Sequence, residues 1–299
     1  MQFMFSYPEA HGLAADMLAP GQPAELGHVA EECGWDGFAL TEHPAPGARW
    51  LEAGGHQTLD PFVALAAVAA VTSRIRLLTY LAVLAYRNPL LLAKAAATLD
   101  IISAGRAVLG AGTGYLRGEF RALGASFEER NALFDEALDV LPLHWSGQPF
   151  DYQGRHFAAQ GTVALPRPVQ QPVPVWVGGN SATARRRAAR TQGWIPVLGT
   201  GELITTIRTT ELATVSDLAA AITQLHADAG PRAAPLDIGL SYPAASALHD
   251  PGTDPGPHRA AVSELAAAGV SWLIIPGPEG ATRAEATAFL ERLGRDYFG

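Results

Sequence analysis

His43 is the residue of this chain best placed to move a proton. It follows the apolar segment Gly37–Thr41, with Glu42 between them, and a histidine side chain gains and loses a proton near neutral pH. At the end of a strand it could donate a proton or a hydrogen bond to a bound molecule. A surface histidine held by Glu42 or by solvent fits the same position, so both interpretations stay open.

Two glycine-rich turns follow other predicted strands. The first contains Gly112, Thr113 and Gly114, and the second is Gly178-Gly179-Asn180-Ser181. The second turn precedes a predicted helix, where free backbone N–H groups suit a phosphate. A tight turn with Ser181 as the helix cap is the alternative. The glycines of the first turn could likewise serve only the turn, or let backbone approach a ligand.

Four aromatic residues fall near the ends of predicted strands, namely Trp50, Tyr80, Tyr115 and Trp194. Rings at the open end of a sheet could wall an aromatic pocket. Each ring could equally pack in the core, and the sequence does not separate these two roles.

The sequence gives little support to a metal site. A barrel hydrolase would carry a His-x-His pair on its first strand, where this chain has Phe3-Met4-Phe5. The histidines at 11, 28, 144, 156, 226, 249 and 258 show no ligand spacing. Neither a Gly-x-Ser-x-Gly elbow nor a Walker loop occurs. We therefore expect no metal and no metal-dependent hydrolase.

Composition excludes several classes of protein. The 299 residues are 48% hydrophobic and 17% charged, which predicts an extensive buried core. A net charge of −8 without a basic stripe argues against nucleic-acid binding. The single Cys33 excludes a disulfide framework, and no apolar run approaches the ~20 residues of a membrane span. We expect a cytoplasmic protein without nucleic-acid or membrane partners.

The segment from 74 to 114 predicts one parallel βαβ unit. An apolar strand ends near residue 83, and Asn88-Pro89 supplies the N-cap and first position of a helix. Gly105 ends that helix, and a strand at 106–109 empties into the first glycine turn. About forty residues for two strands and a helix fit a crossover between parallel neighbours.

The same alternation of strand and helix continues along the chain, eight times in all. We predict a (β/α)₈ TIM barrel with insertions in the loops after the strands, as one domain over residues 1–299 with an insertion at about 147–172. Functional groups of such barrels sit on the loops that follow the strands. The predicted strands lie at 2–6, 37–41, 75–83, 106–109, 173–177, 194–197, 236–241 and 272–275.

With these segments in place, the chain resembles the bacterial luciferase-like monooxygenase superfamily, and most of all its branch that uses the deazaflavin coenzyme F420. The motifs that carry the resemblance keep the family's order over roughly residues 1–200. They are Gly34-Trp-Asp-Gly-Phe-Ala-Leu-Thr-Glu-His43, Arg76–Leu81 with Tyr86-Arg-Asn-Pro89, Gly110–Gly114 with Glu119-Phe120, and Val175–Asn180 with Gly193-Trp194.

The resemblance implies a cofactor at the carboxyl-terminal mouth of the barrel. It implies a non-proline cis peptide behind the cofactor ring, at Tyr80–Leu81, and a histidine facing the reactive edge of the ring, at His43. The implied catalytic residues are His43, Glu42 and Tyr115, and the implied substrate pocket contains Trp50, Tyr115 and Trp194. The implied cofactor-binding residues are His43, Tyr80, Leu81, Gly112, Thr113, Gly114, Gly178, Gly179, Asn180 and Ser181.

Departures from the family pattern bear on the substrate. Members that oxidise sugar phosphates have Glu where this chain has Tyr115, and they carry lysines for the phosphate, whereas the only lysine here is Lys94. We therefore expect a small, neutral organic substrate, such as an enone, an imine or a polycyclic metabolite. F420 is the favoured cofactor, with hydride transfer as its chemistry.

Three further interpretations remain open from the resemblance. The first is an FMN-dependent monooxygenase that works with a separate flavin reductase. The second is a non-catalytic barrel subunit, which would not need to keep two glycine turns and His43. The third concerns assembly: family members often form dimers, so a homodimer is possible, but the sequence does not determine the oligomeric state.

Overall fold

A closed ring of eight parallel strands forms the centre of the computed structural model, which describes residues 1–298 without the side chains of residues 203, 297 and 298. The strands in chain order are β1 Gln2–Ser6, β2 Ala10–His11, β3 Gly37–Leu40, β4 His56–Gln57, β5 Arg76–Thr79, β6 Ala82–Val83, β7 Ala107–Gly112, β8 Phe150–Gln153, β9 Ala158–Thr162, β10 Val175–Gly178, β11 Gly193–Ile195, β12 Asp237–Ser241 and β13 Trp272–Pro276.

The pairing of these strands confirms the predicted (β/α)₈ barrel. The ring runs β1-β3-β5-β7-β10-β11-β12-β13, and β13 pairs with β1 to close it. Strand β6 adds a short parallel pairing to β7. Closure leaves the ring without an unpaired edge, and it directs all eight carboxyl ends to one face.

Helices cover the ring from outside. They are α1 Pro23–Glu32, α2 Ala48–Glu52, α3 Pro61–Val71, α4 Pro89–Ile102, α5 Arg117–Ala122, α6 Arg130–Trp145, α7 Ala182–Ala188, α8 Glu202–Thr206, α9 Val215–Ala229, α10 Pro255–Ala267 and α11 Arg283–Leu293. Among the described residues, no helix combines the length and the apolar composition that crossing a membrane requires.

Local capping chemistry explains where several helices begin. The side chain of Asp60 accepts hydrogen bonds from the first turn of α3, and that of Asn88 caps α4, each with proline as the next residue. Thr282 and Glu285 form the predicted capping box of α11. These caps satisfy N–H groups that a helix cannot pair internally.

Apolar side chains fill both sides of the ring. Met4, Leu78, Trp176 and Trp272 point inward and are fully or almost fully buried, and the two tryptophan rings lie 5.6 Å apart between centroids. Their strand neighbours point outward and pack under the helices in a larger cluster. Because the interior is a packed core, a ligand can enter only at the end of the barrel.

The loops that follow the strands contain short elements of their own. Residues 44–60 include α2 and β4, residues 114–130 include α5, and residues 199–214 include α8. Residues 242–257 contain a 3₁₀ turn at Ala245–His249. Within the predicted insertion at 147–172, β8 and β9 pair as a hairpin. These elements are short, and β4 depends on a distant partner, β2, so local patterns do not reveal them.

Glu31 ties α1 to the loop that leads into β5. Its carboxylate accepts N–H groups from Ser73 at 2.8 Å, Arg74 at 2.6 Å and Ile75 at 2.9 Å. Burial by itself would raise the pKa of this carboxyl group, but the hydrogen bonds to its charged form prevail and lower the pKa from 4.5 to about 2.

Replacing Glu31 tests this connection. Glu31→Gln should lower the free energy of unfolding at pH 7 by about 1–3 kcal/mol, because the buried donors lose a charged acceptor. The folded pKa lies below the unfolded one, so this stabilisation is present above pH 4.5 and is lost as the pH falls toward 2. Denaturant unfolding at several pH values measures it.

The exposed neighbour Glu32 provides the matched control for this experiment. Glu32→Gln should leave stability within about 0.5 kcal/mol of the wild type. A Glu31→Gln protein as stable as the control at pH 7 would contradict the role given to Glu31.

Candidate active site

A cavity of about 410 Å³ opens at the carboxyl ends of the strands. It is of the size that small-molecule sites have. The fold brings most of the predicted site residues to its wall, although this placement does not test their roles. The predicted residues that line the cavity are Glu42, His43, Tyr80, Leu81, Gly112, Thr113, Gly114, Tyr115, Gly178, Gly179 and Ser181.

Two predicted residues point elsewhere. The side chain of Asn180 is fully buried, where its amide nitrogen donates to the carbonyl groups of Val197 at 2.8 Å and Thr210 at 2.6 Å. Trp194 is also fully buried, and its Nε1 donates to the Gly179 carbonyl at 2.8 Å. Both side chains hold the barrel end together, so the structure does not place them in a binding surface.

Trp50 belongs to a ring cluster beside the cavity. Its indole lies against His43, with 4.6 Å between the ring centroids, and 5.3 Å from the ring of His56. It is not among the residues that line the cavity. The structure packs Trp50 against His43, and its role in a substrate pocket stays a prediction.

Glu119 is a residue of the candidate site that the sequence reasoning did not single out. Its Oε2 lies 3.1 Å from Nδ1 of His43 and accepts the Tyr86 hydroxyl at 2.8 Å, while Oε1 accepts the N–H of Ala45 at 3.2 Å. The carboxyl group is fully buried. It appeared in the sequence only as part of a motif, because 76 residues separate it from His43.

The other nitrogen of His43 faces Tyr115. The Tyr115 hydroxyl lies 3.2 Å from Nε2 of His43. Burial, followed by the charges of Glu9 and Glu119, raises the pKa of Tyr115, so the phenol stays neutral. With its Nδ1 proton directed at Glu119, a neutral His43 offers Nε2 as an acceptor to this phenol. The arrangement orients His43 from both sides.

Glu42 has partners for both carboxylate oxygens. One accepts the N–H of Val83 at 2.7 Å, and the other accepts the guanidinium of Arg87. Burial raises the pKa of Glu42, and the Arg87 charge opposes that shift. Glu42 lines the cavity, and these contacts hold the segment after β5 in place. Its catalytic role stays a prediction.

Leu81 fits into space that glycines leave free. The Tyr80–Leu81 peptide bond is cis, as the resemblance implied. A Cβ at position 178 would lie 2.2 Å from Cδ1 of Leu81, and a Cβ at position 112 would lie 3.2 Å from its Cβ. These two glycines therefore admit the leucine side chain, a role that the sequence did not suggest.

The second glycine turn has fewer free donors than predicted. The N–H of Gly179 donates to the Ile195 carbonyl at 3.0 Å, and that of Asn180 donates to the Thr209 hydroxyl at 2.7 Å. Gly179 adopts φ +102°, which only glycine tolerates readily. The positive φ angle explains why position 179 is a glycine. Because the N–H groups of residues 179 and 180 are already hydrogen-bonded, a phosphate would need other donors.

Arginine side chains supply such donors. Arg117, Arg130 and Arg208 surround the ring of Phe127, with guanidinium carbons 4.2, 3.9 and 5.4 Å from its centroid. Arg117 pairs with Glu128. In the part of the chain that the structure describes, Arg130 and Arg208 have no carboxylate partner, and both line the cavity. Burial, then these like charges, lowers the pKa of Arg130.

His56 also lines the cavity and lies beside His43. Their ring centroids are 4.8 Å apart. Burial lowers the pKa of His56 to about 3, with the charges of His43 and His11 adding to the effect. Sequence reasoning did not indicate that His11 and His56 meet, because the contact depends on the unpredicted pairing of β2 with β4.

The chain is similar in sequence and in fold to known proteins. A family model described as luciferase-like monooxygenase matches residues 1–251. The chain belongs to the luciferase-like monooxygenase family. The match covers every segment that forms the cavity wall described above.

Curated relatives are similar over part of their length. An uncharacterised protein of Mycobacterium tuberculosis is 34% identical over 187 residues, which make up 58% of this chain and 66% of that protein. An F420-dependent glucose-6-phosphate dehydrogenase of Kineococcus radiotolerans is 34% identical over 193 residues, 63% of this chain and 56% of that protein. The chain thus spans between about half and two thirds of these relatives.

Solved structures share the fold. A monooxygenase of Streptomyces bottropensis has a TM-score of 0.76 at 21% identity, covering 100% of this chain and 99% of the other. An F420-dependent secondary alcohol dehydrogenase, solved with an F420-acetone adduct, has a TM-score of 0.73 at 17% identity, covering 97% of each chain. At such identities the likeness shows the barrel and nothing finer.

The packing of Leu81 against the second turn gives a prediction. Gly178→Ala should lower the free energy of unfolding by about 1–3 kcal/mol, because the new Cβ overlaps Leu81. In a Leu81→Ala background the same change should cost less by about 0.5 kcal/mol or more. Chemical denaturation of the four proteins measures this cycle.

Gly27 offers the control, because its own Cβ would overlap Val68, 2.5 Å from Cγ1, and not Leu81. The cost of Gly27→Ala should therefore be the same whether or not Leu81 is truncated. Equal costs of Gly178→Ala in the two backgrounds would contradict the contact between Leu81 and Gly178.

Proposed function

We propose that this protein is an F420-dependent oxidoreductase that transfers a hydride between the deazaflavin and a small, neutral organic substrate. The observation that carries the proposal is His43 on the wall of the cavity, held from behind by the buried Glu119 at 3.1 Å, with Tyr115 on its other nitrogen. Such a pair holds a proton-transfer group at a fixed place and in a fixed orientation.

The residues present fit a flat cofactor that carries a phosphate. Leu81, with its neighbours Tyr80 and Val83, supplies an apolar wall. Arg130 and Arg208 supply guanidinium groups without a carboxylate partner in the described chain, and guanidinium binds phosphate through paired hydrogen bonds. The hydroxyl of Ser181 lies on the same wall. These groups would hold the phosphate, in place of the Gly179 and Asn180 N–H groups.

The choice of F420 over FMN rests on the relatives. Two curated relatives at 34% and 30% identity are named F420-dependent glucose-6-phosphate dehydrogenases, and one structural neighbour is named an F420-dependent alcohol dehydrogenase. The family description, luciferase-like monooxygenase, favours the FMN-dependent alternative with a separate reductase. Binding measurements with the two cofactors distinguish these functions.

A proton must move when a hydride is added to or removed from a carbonyl, alcohol or imine group. The hydride is the part of the chemistry that a bound deazaflavin supplies. His43 Nε2 is the atom placed to take or give the proton, directly or through the Tyr115 hydroxyl. Glu119 fixes the Nδ1 proton and stabilises the imidazolium that forms when Nε2 is protonated.

The residues beside His43 favour a neutral substrate. Glu9 and Glu42 line the cavity, and Glu119 contacts His43 without lining it. Burial raises the pKa of Glu9 and of Glu42, and Glu42 is already paired with Arg87, so these carboxyl groups offer an anion no attraction. The sugar phosphate in the names of two relatives is thus not the substrate class that we propose for this chain, which has Tyr115 after Gly114.

His43→Ala tests the proton-transfer role. Turnover with an accepted substrate should fall by about 10²–10⁴-fold, the contribution typical of a positioned acid or base. Affinity for F420 should change much less, because other residues would hold the cofactor. Steady-state kinetics and fluorescence titration give the two quantities. The exposed His226→Ala serves as control, and a His43→Ala enzyme with wild-type turnover would remove His43 from the mechanism.

Arg208→Ala tests the anion-binding role and the identity of the cofactor together. Fluorescence titration of the wild type should give tighter binding of F420 than of FMN. The variant should bind F420 about tenfold more weakly at low salt, because a charge-assisted hydrogen bond is lost. Arg121→Ala removes an equal charge from an exposed position of α5 and should change the affinity for F420 little. Preferential binding of FMN would instead support the monooxygenase alternative.

A further inference from the structure

A cluster of histidine and carboxylate side chains reaches the wall of the cavity through Glu9 and His56, and no proton or hydride transfer is assigned to it. Strands β2 and β4 pair antiparallel, with His11 directly opposite His56. The two rings are 5.6 Å apart between centroids. Glu9, two residues before His11, reaches the same place from the end of β1, and its Oε1 lies 3.2 Å from Nε2 of His56.

Three donor atoms converge in this cluster. One ligand atom each from Glu9, His11 and His56 can be chosen so that all lie within 4.8 Å of one another. A tetrahedral zinc site has ligand atoms about 3.3–3.5 Å apart, given bonds of about 2.0–2.1 Å. The Glu9–His56 separation of 3.2 Å is close to this value, and side-chain movements of about 1–1.5 Å would bring the most distant pair to it.

The second nitrogen of His11 is oriented as in protein metal sites. Its Nδ1 donates to the backbone carbonyl of Gly54 at 2.9 Å, so Nε2 is the nitrogen available to bind a metal. Metal-bound histidines usually donate their other N–H to a carbonyl or carboxylate in this way. Nε2 faces the carboxylate of Glu279 at 3.6 Å, a second acidic oxygen within reach.

The Nε2 atom of His56 needs a partner that the described chain does not provide. It is buried from solvent and forms no hydrogen bond, although the Glu9 oxygen is close by. A buried polar atom without a partner is unfavourable and calls for an explanation. A cation between His56 and Glu9 would satisfy both groups at once.

We propose that Glu9, His11 and His56 form a binding site for a divalent cation of the zinc class. Two imidazoles and one carboxylate are ligands that Zn²⁺ accepts, and a water or Glu279 would complete four-fold coordination. No electron transfer or bond cleavage is assigned to the ion.

The position of the site gives it a structural consequence for the cavity. A bound cation would join the segment after β1 to the loop that carries β4 and α2. That loop contains Trp50, whose ring lies against both His43 and His56. Cross-linking the two segments would therefore restrict the side chains that pack on His43.

Zinc binding to the purified, tag-free full chain tests the proposal. Competition with a chromophoric chelator should show one Zn²⁺ per chain. His56→Ala and His11→Ala should each weaken this binding by about 100-fold or more, since even outer-shell partners of a metal cost 10–100-fold. Zn²⁺ should also raise the melting temperature of the wild type and not that of either variant.

Two further variants secure the interpretation. Glu9→Gln keeps the size of the side chain and removes its charge, so it should weaken Zn²⁺ binding even if a histidine variant fails to fold. His28→Ala, on an exposed face of α1, should bind Zn²⁺ as the wild type does. The absence of stoichiometric binding, or equal loss in His28→Ala, would overturn the proposal.

Discussion

The buried carboxylate of Glu119 is the group on which the arrangement of the active site depends. It lies on α5, after the first glycine turn, yet its partners come from two other loops: His43 and Ala45 after β3, and Tyr86 after β6. An ionised group without water contact is unfavourable unless donors surround it. The three loops must therefore keep their mutual positions, and His43 inherits an orientation that no residue next to it in sequence could impose.

A second carboxylate repeats this logic on the neighbouring segment. Glu42 accepts hydrogen bonds from Val83 and Arg87, which fixes the chain just after the Tyr80–Leu81 bond. Leu81 is then held between this segment and the glycines of the two turns. Adjacent residues, Glu42 and His43, thus serve different purposes: one positions the apolar wall of the cavity, and the other presents a ring nitrogen to its interior. The adjacent residues Glu42 and His43 thus connect the barrel framework to the candidate site.

The sequence predicted what local chemistry determines. Asp60 and Asn88 mark the starts of α3 and α4, apolar runs indicate the strands, and the alternation of strands and helices predicts the barrel. Residues whose role depends on distant partners were beyond that reasoning. Glu119 contacts His43 although 76 positions separate them in the sequence. Trp194 was predicted at the open end of the barrel, but its indole donates a hydrogen bond to the Gly179 carbonyl. The roles of the glycines could not be separated from the sequence, because a glycine needed for a turn and a glycine that leaves space for a neighbouring side chain look the same there.

The cavity wall combines cationic and apolar groups with a histidine, and this combination limits what can bind there. Arg130 and Arg208 contribute positive charge beside Phe127, and neither has a carboxylate partner among the described residues. Partly desolvated charges act strongly over short distances, so an anionic group is favoured beside these guanidinium groups. Leu81 lines the same cavity without charge, and the ring of His43 borders it as well. The phosphorylated planar cofactor and the neutral substrate that we propose need both kinds of surface.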